Sequence, residues 1–133
     1  MKTAVRVRKI PLRGGRLPVR GVAETARASS SVRVRKIPLW NRQTYVQGVE
    51  ASWDSGQWVA IVCSKGMVGC GAFDLKLMEA HHQVLAVARG TVDQPLITCE
   101  DLLDAKVWGA TRLARGFGIR KGMSCRKAAE LMS

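Results

Sequence analysis

The chain has 133 residues and a net charge of +12, a length that favours one domain. No apolar run approaches the roughly 18 residues that a membrane span needs, and the first residues lack the apolar core of a secretory signal. A cytoplasmic protein with no membrane partner is therefore expected.

The positive charge is concentrated at the N-terminal end. Residues 1–42 hold 12 Lys/Arg and one acid, a net +11, whereas residues 43–133 hold 10 Lys/Arg and 9 acids, a net +1. A basic arm of this kind binds polyanions non-specifically and in a salt-dependent way. The first 39 residues contain no aromatic side chain for stacking on bases, which favours a solvated tail over a dedicated nucleic-acid arm.

One octapeptide, Val-Arg-Val-Arg-Lys-Ile-Pro-Leu, occurs unchanged at residues 5–12 and 32–39. A weaker match continues at the same offset of 27, which indicates a tandem duplication. The duplication divides the chain into a basic, disordered extension over residues 1–31 and a single domain over residues 32–133. If residues 32–53 pair across subunits, the copy would compete for the same sheet edge by strand addition.

The first two strands of the domain are predicted from alternation. Val32 and Val34 alternate with arginines, which predicts a strand that has one face in water and ends near Pro38. Beyond it, Tyr45, Val49, Ala51 and Trp53 fall on one parity, which predicts a second, half-buried strand.

Three apolar runs follow along the chain. Residues 58–63 and 67–73 are separated by a short turn, which predicts a hairpin in the centre of a sheet. Residues 84–88 predict a further buried strand, and residues 74–82 between them predict a short helix.

The C-terminal third is predicted to be helical. Thr98 and Ser124 are suitable N-caps, and a spacing of i, i+3, i+4, i+7 from Ala110 to Phe117 predicts an apolar helix stripe. The fold class is therefore α+β: a largely antiparallel or mixed sheet from the N-terminal half, with three or four short, mostly C-terminal helices packed on one face. The predicted core consists of Val59, Ile61, Val68, Cys70, Phe73, Val87, Leu102, Leu103, Leu113, Phe117, Ile119 and Met132.

Three segments in order resemble the domain-of-unknown-function 1805 family of bacteria and archaea. They are KGMVGCGAFD (65–74), ITCEDLLDAKV (97–107) and GFGIRKGMSCRKAAELM (116–132), within a resemblance over about residues 35–132. It departs from the family pattern at Lys127, where an acid is common, and over residues 91–95, which look longer than usual. The family implies a β-rich N-terminal region that forms tetramers, and it implies no established reaction.

Cys70 is the candidate catalytic residue. A thiolate beside Gly71, whose N–H would stabilise an anion, suits nucleophilic chemistry if a base and a lowered thiol pKa accompany it. The alternative is a small apolar side chain inside a buried strand, which we favour because free cysteine is among the most buried residue types. Gly66, Cys70, Gly71 and Asp74, the positions that match the first family segment, are the candidate ligand-binding residues.

No metal site or cofactor is predicted. His81 and His82 are adjacent and have no ligand partner at helical spacing, and Asp74 most simply caps the following helix. The leading hypothesis is a non-catalytic, homo-oligomeric binding or scaffold module, tetrameric by resemblance. The alternatives are an enzyme that uses Cys70 and a nucleic-acid-associated protein that uses the basic arm.

Overall fold

A mixed sheet of six strands organises the chain. In the computed structural model, which describes residues 29–40 and 43–133, the strands are β1 (Ser31–Pro38), β2 (Tyr45–Trp53), β3 (Gly56–Val62), β4 (Met67–Gly69), β5 (Leu85–Val87) and β6 (Gly109–Ala110). They lie side by side in chain order, and every neighbouring pair is antiparallel except β4 and β5, which are parallel. The predicted fold class is confirmed.

Four short helices complete the described part of the chain. They are α1 (Leu75–Ala80), α2 (Cys99–Asp104), α3 (Arg112–Arg115) and α4 (Cys125–Leu131). A side-chain oxygen accepts a backbone N–H at the start of each helix, from the N-caps Asp74, Thr98, Thr111 and Ser124 respectively. A cap stands directly before its helix in the sequence, so it can be recognised without the structure. The starts at Asp74, Thr98 and Ser124 were predicted in this way, and the start at Thr111 was not.

The core lies between α2, α4 and one face of the sheet, the inner face, which carries Val46, Ile61 and Val68. At Gly48 a Cβ would meet the side chains of Cys99 in α2 and Ile37 in β1. Gly48 therefore lets α2 approach the sheet closely, which a larger residue would prevent. Most of the predicted core residues are buried here.

Helix α1 lies over the opposite, outer face. The side chain of Leu75 lies 2.9 Å from where a Cβ of Gly109 would stand, and Gly109 points away from the inner-face residue Ala110. The helices therefore pack mainly, but not solely, on one face. Because α1 covers only the β5–β6 end, the outer face of β1 to β3 has no helix over it among the described residues.

The burial of β1, and of the first part of β2, is opposite to the predicted alternation. Val32 and Val34 lie on the outer face and are exposed, whereas Arg35 lies on the inner side and Ile37 is buried there. In β2, Val46 is buried on the inner face while Tyr45 is exposed, but Ala51 on the predicted, outer side is buried as well. The reason is that Arg35 has acidic partners on the inner side, so a charged residue occupies the face that packs against α2.

The predicted stripe in residues 110–117 is wrong. Ala110 lies in β6, and α3 has only four residues. Within α3 only Ala114 is buried, whereas Leu113 and Phe117 are exposed at 42% and 36% and do not belong to the core. The stripe fails because Thr111 starts the helix one residue after the strand, which leaves about one turn to carry the pattern.

The predicted disordered extension over residues 1–31 falls mainly on residues 1–28, which lie outside the described part, and Ser31 already belongs to β1. The four cysteines, all within the described residues, are free, and all but Cys63 are buried. Cys70 lies opposite Val59, since its N–H donates to the Val59 carbonyl at 3.1 Å.

Candidate functional site

A cleft in the described residues lies where β4, β5 and β6 meet α1. Its volume is about 590 Å³, and its wall includes Gly71, Asp74, Lys76, Arg89 and Trp108. These residues are far apart in sequence and come together because β4 pairs with β5, and β5 with β6. A concave site with a few convergent polar groups is the usual form of a small-molecule binding site.

Arg89 and Trp108 form one wall of this cleft. Trp108 donates its backbone N–H to the carbonyl of Val87 at 2.7 Å, which aligns it with the residues that follow β5. The guanidinium carbon of Arg89 lies 3.5 Å from the centroid of the indole ring of Trp108. A cation over an aromatic face is stabilised by the ring quadrupole, so this contact fixes the direction of the arginine.

The acidic side chains of the cleft accept backbone N–H groups at the starts of two helices. The carboxylate of Asp74 accepts the N–H of Leu77 at 3.1 Å, and that of Glu79 accepts the N–H of Arg112 at 2.7 Å. Asp74 therefore caps α1, and Glu79 joins α1 to the first residue of α3. The cleft also holds Lys76, Arg89 and Arg115, and the last of these donates to the carbonyl of Ala110 at 2.6 Å. Three cations against two carboxylates leave a small positive excess beside an aromatic surface, a chemistry compatible with anionic ligands.

The four candidate ligand-binding residues are divided by the fold. Gly71 and Asp74 line the cleft, and a Cβ at Gly71 would meet only the Arg89 side chain, at 3.5 Å. Gly66 lies away from it, since a Cβ there would stand 2.5 Å from Val84 and 2.6 Å from Met132. Gly66 therefore permits close packing of the C-terminal helix region against the sheet.

Cys70 adjoins the cleft in sequence but does not line it. Its side chain is 7% exposed, and its sulfur accepts the N–H of Val59 at 3.4 Å. Both histidines are exposed, and no described hydrogen bond joins either imidazole to Cys70. The use of Cys70 as a nucleophile remains a prediction, and its burial favours the packing interpretation.

Among residues 29–40 and 43–133, no group of three His, Cys, Asp or Glu side chains is arranged to hold a metal ion. In the same part of the chain, no helix has the length and apolar character needed to cross a bilayer.

A second candidate site is the outer face of β1 to β3. Each exposed large apolar side chain on the described strands lies on this face: Val32, Val34, Tyr45, Trp53 and Val62. The pairing of Val32 with Ala51, and of Val34 with Val49, places these side chains in adjacent rows. Contiguous exposed apolar surfaces are commonly sites of interaction, which makes this face a candidate.

Sequence reasoning missed most of the cleft residues. Arg89, Trp108 and Glu79 belong to no spacing pattern, because β-pairing and helix packing bring them together from separate segments. A weak signal exists in the sequence, since Arg89 directly follows the short apolar run of residues 84–88. The outer face was missed for a different reason, namely that alternation identifies two faces of a strand without telling which one is covered.

The fold and the cleft define a small α+β protein with a mixed sheet and a cationic, aromatic cleft at the end of its short strands. Residues 69–132 match the family model described as "Domain of unknown function (DUF1805)", which is the family that the three segments resemble. The matched segment begins at the last residue of β4, so β1 to β3 precede it.

The comparison with solved structures extends further. The chain is similar to the crystal structure of a protein of unknown function, TA1206, from Thermoplasma acidophilum, with a TM-score of 0.70 and 19% sequence identity. The similarity covers 82% of this chain and 100% of that one, so the likeness in fold continues N-terminal to the family segment. No curated protein matches the chain.

Proposed function

We propose that this protein is a non-catalytic, homo-oligomeric binding or scaffold module, and that subunits associate through the outer face of β1 to β3. The observation that carries the proposal is the set of apolar side chains on that face. Val32, Val34, Tyr45, Trp53 and Val62 are 43% to 68% exposed, although they stand on paired strands. A large exposed apolar area is costly in water and is removed by association.

The charge of the outer face supports a second copy of the chain as the occupant. Although the whole chain carries +12, Lys36 is the sole charged side chain that β1 to β3 place on this face. Its ammonium group lies 5.1 Å from the centroid of the Tyr45 ring, directed along the strand pair. Two copies can therefore meet through this face with little repulsion between like charges.

The stoichiometry in the proposal is a tetramer, because the resembled family implies tetramers formed by an N-terminal β region. The outer face belongs to the three N-terminal strands, in agreement with that expectation. Under this proposal the cleft beside Arg89 and Trp108 is the binding part of the module and takes a small anionic ligand. The module is assigned to the cytoplasm, an environment that suits four free cysteines.

The test is the molar mass of the full chain, measured by light scattering over a range of concentrations. We expect a tetramer for the unmodified chain and a smaller mass for Val34→Lys, since a charge in the centre of the contact is left unpaired and desolvated. Val92→Lys is the matched control, because Val92 is 98% exposed in a loop far along the chain from β1. A monomeric unmodified chain, or an unchanged mass for Val34→Lys, would contradict the proposal.

The nucleic-acid alternative also remains a prediction. Most of the basic arm, residues 1–28, lies outside the described part. Within β1, Arg35 contacts Glu50 and Glu100, and Arg33 lies 3.6 Å from Glu50. These pairs reduce the positive charge that β1 itself offers to a polyanion.

A further inference from the structure

We propose that residues 5–12 compete with residues 32–39 for the edge of β2, so that one chain holds two alternative edge strands. The proposal concerns β1, which is the first strand in the sheet order and is paired on one side only, with β2. An edge strand is the element of a sheet that is most easily replaced by another segment. The inference is independent of the oligomeric state.

The contacts that hold β1 in place come from a few side chains of the octapeptide. Arg35 donates to Glu100 at 2.7 Å and to Glu50 at 3.4 Å. Ile37 and Leu39 are buried in the core, and the N–H of Leu39 donates to the carbonyl of Thr44 at 2.9 Å. The stability of β1 at its position therefore depends on its backbone pairing with β2, on one ion-pair network and on two apolar anchors.

The copy carries the same groups at the same spacing. Arg8, Ile10 and Leu12 stand where Arg35, Ile37 and Leu39 stand in the second octapeptide. The carboxylate acceptors Glu50 and Glu100 belong to β2 and α2, which lie outside the edge strand and are available to either octapeptide under this proposal.

One side-chain contact of β1 cannot be reproduced. The hydroxyl groups of Ser31 and Ser52 lie 3.3 Å apart, and the residue equivalent to Ser31 in the copy is Ala4. This pair is exposed, so its loss changes the stability little. At the level of side-chain contacts, the two octapeptides are close to equivalent occupants.

The length of the connection decides which octapeptide predominates. Five residues, 40–44, join Leu39 to Tyr45, whereas 32 residues, 13–44, join Leu12 to Tyr45. Closing the longer loop is less probable by roughly 16-fold, from the three-halves power of the length ratio. Residues 32–39 are therefore the main occupant, and residues 5–12 are a minor one that takes over when the first is damaged.

The first test compares three variants of the full chain by chemical unfolding. Ile37→Asp disrupts residues 32–39 as the edge strand. It is expected to lower the folding equilibrium constant by no more than roughly 16-fold, because residues 5–12 take their place. Ile10→Asp is the matched control and is expected to change the equilibrium by less than about 2-fold, since it removes only the minor occupant. The double variant has no intact occupant and is expected to lose roughly a hundredfold or more.

The comparison between Ile37→Asp and the double variant decides the matter. A single variant that is as unstable as the double one, or that fails to fold in the same way, would overturn the proposal. Equal stability of the single and double variants would mean that residues 5–12 do not replace residues 32–39. Loss of the Ser31–Ser52 contact or a longer loop could not explain such equality, because the single variant would still have residues 5–12 to pair with β2.

A second measurement detects the alternative pairing in an otherwise native chain. Val34 lies directly opposite Val49, and the equivalent residue in the copy is Val7. Val34→Cys with Val49→Cys is expected to form a disulfide on mild oxidation, because opposed residues on paired strands have suitable spacing. The pair Val7→Cys and Val49→Cys is expected to form a disulfide more slowly. The pair Val7→Cys and Val92→Cys is the negative control and is expected to form none. Absence of the Val7–Val49 link, while the Val34–Val49 control links, would overturn the proposal.

Discussion

The guanidinium of Arg35 contacts both carboxylate oxygens of Glu100, at 2.7 and 2.8 Å, and so joins the edge strand β1 to helix α2. Glu50 of β2 lies between them, since one of its oxygens is 3.4 Å from Arg35 and accepts the N–H of Cys99 at 2.7 Å. The pairing lowers the pKa of Glu100 and raises that of Arg35. A charged network, rather than apolar contact alone, thus holds the N-terminal strands against the helix layer.

The two carboxylates of this network are expected to contribute unequally to stability. Glu100→Ala removes an ion pair whose acidic side chain is 56% exposed, and should lower the free energy of unfolding by less than about 1 kcal/mol. Glu50→Ala should cost about 1–3 kcal/mol, because the side chain is only 14% exposed and the N–H of Cys99 loses its acceptor. Urea unfolding of both variants measures the difference, and equal losses would contradict it.

The free energy of unfolding is expected to fall at acid pH because two carboxylates at the start of α2 become protonated. The pKa of Glu100 is lowered from 4.5 by its hydrogen bond to Arg35, and that of Asp101 is lowered from 3.8 by the N–H groups of Thr98 and Ile97. The unfolded state then binds more protons than the folded state in acid. The contribution is complete above about pH 4.5 and is lost as the pH falls through the lowered values.

The measurement is the free energy of unfolding between pH 7 and the acid limit. The double variant Glu100→Gln, Asp101→Asn should show a flatter curve than the unmodified chain, because neither side chain can be protonated. A curve of unchanged steepness in this variant would assign the acid sensitivity to other groups.

Two leucines provide a matched test of the core. Leu102 is fully buried between α2 and the sheet, so Leu102→Ala should cost about 2–5 kcal/mol. Leu113 is 42% exposed, so Leu113→Ala should cost under about 1 kcal/mol, against the larger loss that its predicted helix stripe implied. Denaturant midpoints of the two variants check this pair, and a similar shift for both would disagree with the described packing.

The thiols are expected to react slowly with iodoacetamide near neutral pH. Burial raises the pKa of Cys63 and Cys99 to about 11 and that of Cys125 to about 12. With a pKa of about 11, roughly one thiol in ten thousand is ionised at pH 7. Cys70 is shielded by its 7% exposure.

Mass spectrometry of peptides after timed labelling identifies the order of reaction. We expect Cys63, the least buried cysteine, to react first and its rate to increase as the pH approaches 11. Urea-unfolded protein is the control that shows all four thiols to be available. Rapid modification of Cys70 in the folded chain would favour the enzymatic alternative over the proposed function.

Much of the fold was predictable because its signals are local. The caps Asp74, Thr98 and Ser124 stand directly before the helices that they start, and the apolar runs at 58–63 and 84–88 overlap two of the strands. The candidate site was predicted only in part, through Gly71 and Asp74, which belong to one short segment. Arg89 and Trp108 escaped prediction, since they meet only when β5 pairs with β6.

The α+β class, the family resemblance and the exact duplication of the edge strand could be predicted from the amino-acid sequence, because each depends on contiguous residues. The tertiary structure alone decided which face of β1 and β2 is covered. A two-residue period is the same whichever face is inside, so the choice depended on Glu50 and Glu100 meeting Arg35 across the sheet and helix. That choice turned Val32 and Val34 outward and produced the apolar face through which association is proposed.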